Sequence, residues 1–531
     1  MSREYKPIKA AIGEEITCKS WVSEGLMRSF MNMFNPEIAT DPKNLSILGD
    51  SAKAVRSWET FDEIIEELKV LDADETLVVQ SGKPVGIFQT HMMAPRVLIT
   101  NSMVCEIDKK DKSFQRLVSD GLTLRSESTV GSWTYAGSQG LLSYYYMMYN
   151  QVAKLHFQGS LQGKLVLSTG LQQSQGFDAL AGNIIGATIL TSDADSRLVD
   201  RLISKGIVHH KFDQIDIAIN KAFELKALKK PETVVYVGKA HDLVKAIVNK
   251  NLVPATVTDN SSIAKVYDFA LKEEIKKHAE YMLKLQGRGA VVFDSGNGIR
   301  QVAEEAGLET AMMIPGCYEL YMRELFCEGK GALQWTALSG DAEDIKRIDD
   351  MILEAYPDNI EVVSWIKNVQ KLKFPGLPTR VCWLGHGERR YIASEINKLV
   401  RDQEVSAPVI ISRESIDAGS ISNPGCVTQN MNDKSDAIAD WVFLNAMMNA
   451  SSGASLVSIQ QARNMCGNAI NTGIALVANG SPETDKRISM VFANDQGLGI
   501  MRYADAGYEK AINAAQKYGL MSDKSQNGEK K

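Results

Sequence analysis

Residues 164–197 read KLVLSTGLQQSQGFDALAGNIIGATILTSDADSR, and their order decides the fold. KLVLS (164–168) is a short apolar run, TGLQQSQG (169–176) a polar turn, ALAGNIIGATIL (179–190) an apolar stretch rich in small residues, and TSDADSR (191–197) adds two carboxylates. Strand, turn, helix and the end of a second strand form the first unit of a dinucleotide-binding α/β fold. Such a fold needs this layout because backbone N–H groups at a helix N-terminus hold a pyrophosphate, and a carboxylate about 20 residues later accepts hydrogen bonds from ribose hydroxyls. Asp193 stands at that distance. Glycine occupies the turn only at Gly170 and Gly176, with Gln172, Gln173, Ser174 and Gln175 between them. The pattern alone therefore leaves two readings open, a nucleotide site or a plain buried strand–helix unit.

Composition sets the frame around this unit. A chain of 531 residues has room for roughly two to four domains. Hydrophobic residues at 44% and charged residues at 23% describe a globular, soluble protein. A net charge of -6 with the signs interspersed argues against nucleic acid or an anionic membrane as main partner. No stretch approaches the ~18 uninterrupted apolar residues of a membrane span, and MSREYKPIKAAIGEEI (1–16) has no signal-peptide core. The seven cysteines are scattered without a CxxC pair, so reduced thiols in a cytoplasmic protein are expected and a zinc site is not. The histidines are equally dispersed, apart from His209 and His210, and form no metal constellation.

Upstream of the opening unit, SWVSEGLMRSFMNMF (20–34) and TFDEIIEELKVL (60–71) have amphipathic helical spacing, and TLVVQ (76–80) reads as a strand. SGKPVGIFQTHMMAPRVLITNS (81–102) reads as a turn and two extended runs at a sheet edge. Lys83 or His91 there serves a ligand, or else the segment is a solvated turn with a satisfied core histidine. LLSYYYMMYNQVAKL (141–155) is a long helix whose tyrosine and methionine stripe is read as core. Beyond Arg197, helical and strand segments alternate, as a parallel sheet with crossover helices requires. Ligands in such sheets bind at the carboxyl ends of strands, which makes Gly238 to His241, Thr258 to Ser262 and Phe293 to Gln301 candidate ligand loops. The segment YELYMRELFCEGKGALQWTALSGDAEDI (318–345) reads as irregular, TRVCWLGHGERR (379–390) as a strand holding Cys382, and SDAIADWVFLNAMMNA (435–450) as a helix. QQARNMCGNAINTG (460–473) reads as a loop. A lone cysteine in an apolar strand is usually inert packing, whereas Asp440 within an apolar helix face needs a partner or a role.

Several of these runs, taken together, carry a family resemblance. QSGKPVGIFQTHMMAPRVLITNS (80–102), GSWTYAGSQG (131–140), FDSGNGIRQ (293–301), WTALSGDAEDI (335–345), GLPTRVCWLG (376–385), SDAIADWVFLNAMMN (435–449) and NDQGLGIMRYADAGYEKAI (494–512) closely resemble urocanate hydratase, or urocanase. The similarity runs in order from about Cys18 to Ile512. It implies an α/β architecture in which a Rossmann-type NAD-binding domain, residues 139–316, is inserted into a core domain made from residues 1–138 and 317–531. It also implies a cytoplasmic homodimer, a small imidazole acrylate substrate, and a tightly held NAD+ that is not a redox reagent. In that family C4 of the nicotinamide accepts electron density from the imidazole ring, which opens the substrate to net addition of water.

The same resemblance implies site residues. The family's active-site cysteine is similar to Cys382, its substrate-carboxylate arginine to Arg323 and its helix aspartate to Asp440. Gly49, Gln139, Asp193, Arg197, Ala240 and Ser262 match its NAD contacts, and the same ligand loops add Asp50, Gln173, Ser174, Gln175, Gly176, Lys239, Asn260, Ser261 and Ser295. The departures concentrate in those loops. Gln173, Ser174 and Gln175 replace a glycine-rich pyrophosphate turn, Ser295 replaces a tyrosine, and Gln460 to Asn464 replace a loop with two adjacent histidines. Tyr503 stands for a late histidine. An intact frame with altered loops points to an NAD+-dependent hydratase of a substituted urocanate. Urocanate hydratase proper and a catalytically silent relative are the alternatives.

Overall fold

The computed structural model describes residues 5–49, 52–105, 112–261, 269–413, 416–464 and 467–521. Asp50 and Ser262 lie outside the described residues. Two sheets organise the chain. The first is fully parallel and belongs to the middle of the sequence. Its strands are β4 (Leu165–Thr169), β5 (Thr188–Asp193), β6 (His210–Phe212), β7 (Thr233–Val237), β8 (Thr256–Asp259) and β9 (Val291–Val292), in the spatial order β6-β7-β5-β4-β8-β9. The order reverses direction at β4, placing the topological switch point between β4 and β8. Every residue of β4, β5 and β8 is buried. A parallel sheet reaches that state only when crossover helices cover both faces. The 164–197 stretch is thus strand, turn, helix (Phe177–Ile184) and strand, as its sequence pattern predicts.

The second sheet is mixed and joins the two ends of the chain. β1 (Glu75–Gln80), β2 (Lys83–Gln89) and β3 (Val97–Asn101) come from the N-terminal part. β10 (Gly331–Ala337), β11 (Thr379–Leu384), β12 (Val409–Arg413), β13 (Ile421–Ser422), β14 (Leu456–Asn464) and β15 (Gly467–Ala478) come from the C-terminal part. The order is β11-β10-β12-β15-β14-β3-β1-β2, with β13 pairing β15. The seam between the two parts is the parallel β3–β14 pair, in register from Val97 with Leu456 to Asn101 with Gln460. β2 is the edge strand, as expected, but both Lys83 and His91 are exposed, so His91 is not a core residue.

One helix ties the two sheets together. In Gln139–His156, Tyr149, Val152 and Ala153 share a core with Ala179, Ala181 and Ile189 of the parallel-sheet unit and with Trp335 and Val381 of the mixed sheet.

Three expectations need correction. The segment 318–345 is regular: a π-helical turn (Tyr318–Met322), a helix (Arg323–Cys327) and the fully buried strand β10. Its glycines at 329 and 340, with φ of 69° and 78°, are the turns that bracket β10. Residues 460–464 and 467–473 are strand rather than loop, β14 pairing antiparallel with β15 from Leu456 with Ala475 to Asn464 with Gly467. Their polar composition conceals the strands because Gln460 and Asn471 are buried and bonded to each other across the ladder at 2.5 Å. The helix read from Ser435 begins at Asp440, after a separate 3-10 turn at Ser435–Ala437.

Candidate active site

At the carboxyl end of β4 the chain turns through Gly170 to Gly176 before entering the Phe177–Ile184 helix. Gly170 has φ +83, and a Cβ there would lie 2.3 Å from the backbone nitrogen of Ser261, so the residue is fixed by the approach of the β8 loop. Gln175 and Gly176 are also left-handed, at φ 52° and 79°. Gln172, Gln173 and Gln175 are exposed, while Ser174 folds beneath the turn and donates to the buried carboxylate of Asp178. The bulk that replaces glycine is thereby kept off the backbone. Among the described residues, the N–H groups of Gln172, Gln173, Ser174 and Gln175 have no hydrogen-bond acceptor. Free N–H groups at a helix N-terminus are what a phosphate anion requires.

Asp193 closes β5 beside this turn. Its carboxylate accepts from Leu171 N–H at 3.1 Å, Asp195 N–H at 2.8 Å and the Gln172 amide at 3.3 Å. The two backbone donors fix its orientation, and the third comes from an exposed side chain that a ligand hydroxyl can displace. A cleft of about 190 Å³ opens at this point, lined by Gly170, Gln172, Asp193, Gly238, Lys239, Ala240, Asp259 and Ser261, with His241 and His278. Burial lowers the pKa of both histidines, keeping them neutral as hydrogen-bonding groups. Asp259 is bound on several sides, accepting from Thr169 at 2.5 Å, the Ser261 hydroxyl at 2.7 Å and Asn297 at 2.6 Å.

A second cavity, of about 250 Å³, lies on the other side of the same turn, between the parallel-sheet unit and the mixed sheet. Gln173 and Ser295 line it from the first, Ala332 and Trp383 from the second, Leu48 and Glu127 from the N-terminal part, and Tyr144 and Tyr145 from the connecting helix. The Tyr144 hydroxyl lies 2.9 Å from Cys317 Sγ, its ring stacks on Tyr318 at 5.4 Å, and Tyr145 donates to Asn260 Oδ1 at 2.7 Å. Burial raises all three phenols well above their ordinary value, so they stay protonated. The tyrosine stripe read as core is therefore both core and cavity wall.

The structure brings some sequence-predicted residues together here and not others. Gln173 and Ser295 reach the second cavity; Asp193, Lys239, Ala240 and Ser261 reach the first. Ser174 and Gly176 shape the turn from within. Asn260 is buried and used up by Ser168, Asp178, Tyr145 and Ser295, which makes it the brace of the loop rather than a ligand contact. Gln139 is likewise committed: its amide donates to Thr379 O and accepts from Val381 N, along the edge strand β11. Arg197 is exposed on the outside of its helix, 3.7 Å from Asp195. Gly49 follows the cavity residue Leu48 at φ +59.

The three residues expected at the chemistry are not on the second cavity wall. Cys382 is 1% exposed on a separate small pocket that it shares with Tyr146, Lys330 and Trp383, and burial pushes its thiol up to about 12. Arg323 is buried against the ring of Tyr508 and donates to the carbonyls of Gln429 and Asn430. Asp440 is exposed, at the start of the Asp440–Ser452 helix. The apolar face that it shares, with Phe443, Leu444, Met447 and Met448, points outward; amphipathic spacing reports a face without saying what covers it.

Sequence reading missed Glu127 and Tyr144. Glu127 precedes GSWTYAGSQG by only four residues, and no motif spacing marks an isolated glutamate. Comparison with known families finds three models in chain order. Residues 8–134 match the urocanase N-terminal domain, residues 137–269 and 264–321 the urocanase Rossmann-like domain, and residues 324–517 the urocanase C-terminal domain.

Proposed function

The chain belongs to the urocanase family of hydro-lyases, which act on small imidazole acrylates, and from that premise we propose that it is an NAD+-dependent hydratase of a ring-substituted urocanate. The observation that carries this reading is the pair of cavities flanking one turn at the carboxyl edge of the parallel sheet. Asp193 and the first cavity would hold the adenosine end of a dinucleotide, the N–H groups of residues 172–175 its pyrophosphate, and the wall of the second cavity its nicotinamide. The residues present fit that group. Asp193 is oriented to accept ribose hydroxyls, and Gly170 leaves the backbone clear. When bound, NAD+ supplies an electron-accepting ring carbon that is not consumed.

The chain's own residues bind, orient and exclude water. Trp383, Tyr144 and Tyr318 present aromatic walls that hold a planar acrylate flat and keep the site dry, which strengthens every electrostatic contact within it. The protonated Tyr144 hydroxyl donates to the Ser295 carbonyl at 3.3 Å and lies 2.9 Å from Cys317 Sγ, which fixes its ring in the wall. Ser295, where the family pattern carries tyrosine, leaves room on the wall for a ring substituent.

We also infer the division into residues 1–138, 139–316 and 317–531, in keeping with the membership of the two sheets. A cytoplasmic homodimer is part of the same reading. The exposed row Ile438, Phe443, Leu444, Met447 and Met448 supports it, because a second copy would cover those side chains. Among the described residues, no helix is long and apolar enough to cross a membrane.

The test is an absorbance screen with NAD+-loaded protein. Loss of the conjugated chromophore with urocanates carrying a sulfur substituent on the ring, and little loss with urocanate, is the expected result. Turnover of unsubstituted urocanate alone overturns the substituent.

A further inference from the structure

Glu127 is the one formally charged side chain among the described residues lining the second cavity. Its carboxylate has no hydrogen bond or ion pair with any described residue, although it precedes the short Ser128–Gly131 helix, where capping would be the ordinary use of such a group. The segment that presents it is held firmly. Asn101 donates to Gly131 O at 3.1 Å, and Gln460, from the β14–β15 hairpin, donates to Ser128 O at 2.8 Å. A Cβ on Gly131 would press on Ser126, Asn101 and Gln460 at 2.5–3.0 Å. Glu127 is part-buried, and an unpartnered carboxylate on an aromatic cavity wall is available to a ligand donor.

We infer that Glu127 recognises the substrate ring: its carboxylate accepts a hydrogen bond from a ring N–H, selecting an imidazole-type ring over one of the same shape without a donor. This rests on the reading of the second cavity as the reaction site. Burial raises the Glu127 carboxyl to about 7, with the Arg125 guanidinium alone opposing the shift. The other titratable groups on the cavity wall are Tyr135, Tyr144, Tyr145 and Tyr318. Recognition by the carboxylate therefore strengthens as pH rises through neutrality, when Glu127 loses its proton.

The experiment is calorimetric titration of the NAD+-loaded protein at pH 8 with two probes, 3-(imidazol-4-yl)propionate and 3-phenylpropionate. The wild type is expected to bind the imidazole acid about tenfold or more tighter than the phenyl acid, as a hydrogen bond to a charged acceptor allows. E127Q should erase most of that preference while leaving phenylpropionate affinity and NAD+ content unchanged. An E127Q protein that keeps the full preference overturns the inference alone, and one that loses NAD+ overturns it by assigning Glu127 to the cofactor. A wild type that binds neither probe overturns the reading of the cavity and the inference with it. E127D, which retains the charge on a shorter arm, covers a failure of E127Q to fold: a several-fold weaker preference is expected, and an unchanged one contradicts the assignment.

Discussion

At the residue scale, the site is governed by carboxylates in three different situations. Asp178 is buried and saturated by Ser168, Ser174 and Asn260, so it is structural. Asp193 is oriented by two backbone donors and retains capacity for a ligand. Glu127 lines the second cavity with its carboxylate unpaired among the described residues. Asp193→Ala should cut NAD+ affinity at least about tenfold, measured by titration of the apo-protein, because both ribose acceptors and the turn's anchor are lost. Glu127 also makes a stability prediction. Its folded pKa, about 7, lies above the ordinary carboxylate value, so the folded state binds the extra proton between those limits, and stability falls as pH rises through that window. E127Q should therefore be more stable than the wild type by about 1–2 kcal/mol at pH 8 and equal to it near pH 4.5, read from denaturant midpoints.

At the scale of elements, what was legible depended on whether pattern or environment decides the structure. The β4–turn–β5 unit could be read because period, punctuation and the spacing of Asp193 all agree. The β14–β15 hairpin could not, because its strands carry buried polar side chains whose partners lie across the ladder or in distant segments. Arg323 and Gln139 were identifiable as special residues, yet their partners, the Gln429 and Thr379 carbonyls, come from more than 100 residues away. Asp440 lies on an apolar helix face that points outward, and such a face looks the same in sequence whether it is inward or outward. Two predictions belong here. Gly170→Ala forces a Cβ into the Ser261 backbone at φ +83 and should cost at least about 1–2 kcal/mol of stability together with NAD+ retention, measured by denaturation and by bound nucleotide. Gln460→Ala removes the bonds to Ser128 and Asn471 and should cost about 1–3 kcal/mol, while loosening the Glu127 segment.

Across the whole molecule, the second cavity exists only where three parts of the chain meet: Leu48 and Glu127, the turn at Gln173 with Ser295, and Trp383. A mixed sheet closed by the β3–β14 seam holds the first and last parts in register, and the Gln139–His156 helix sets the parallel-sheet unit against them. Activity should thus be lost in any fragment that breaks the seam. If the outward apolar row on the Asp440–Ser452 helix is covered by a second copy, Leu444→Glu with Met447→Glu should convert a dimer to a monomer in sedimentation, with the parallel-sheet unit still binding nucleotide. Whether this frame still holds a dinucleotide across its altered turn is decided by native mass spectrometry of freshly purified protein. One NAD+ per chain, released intact and oxidised on denaturation, is expected. Protein free of nucleotide that takes up none when NAD+ is added would contradict it.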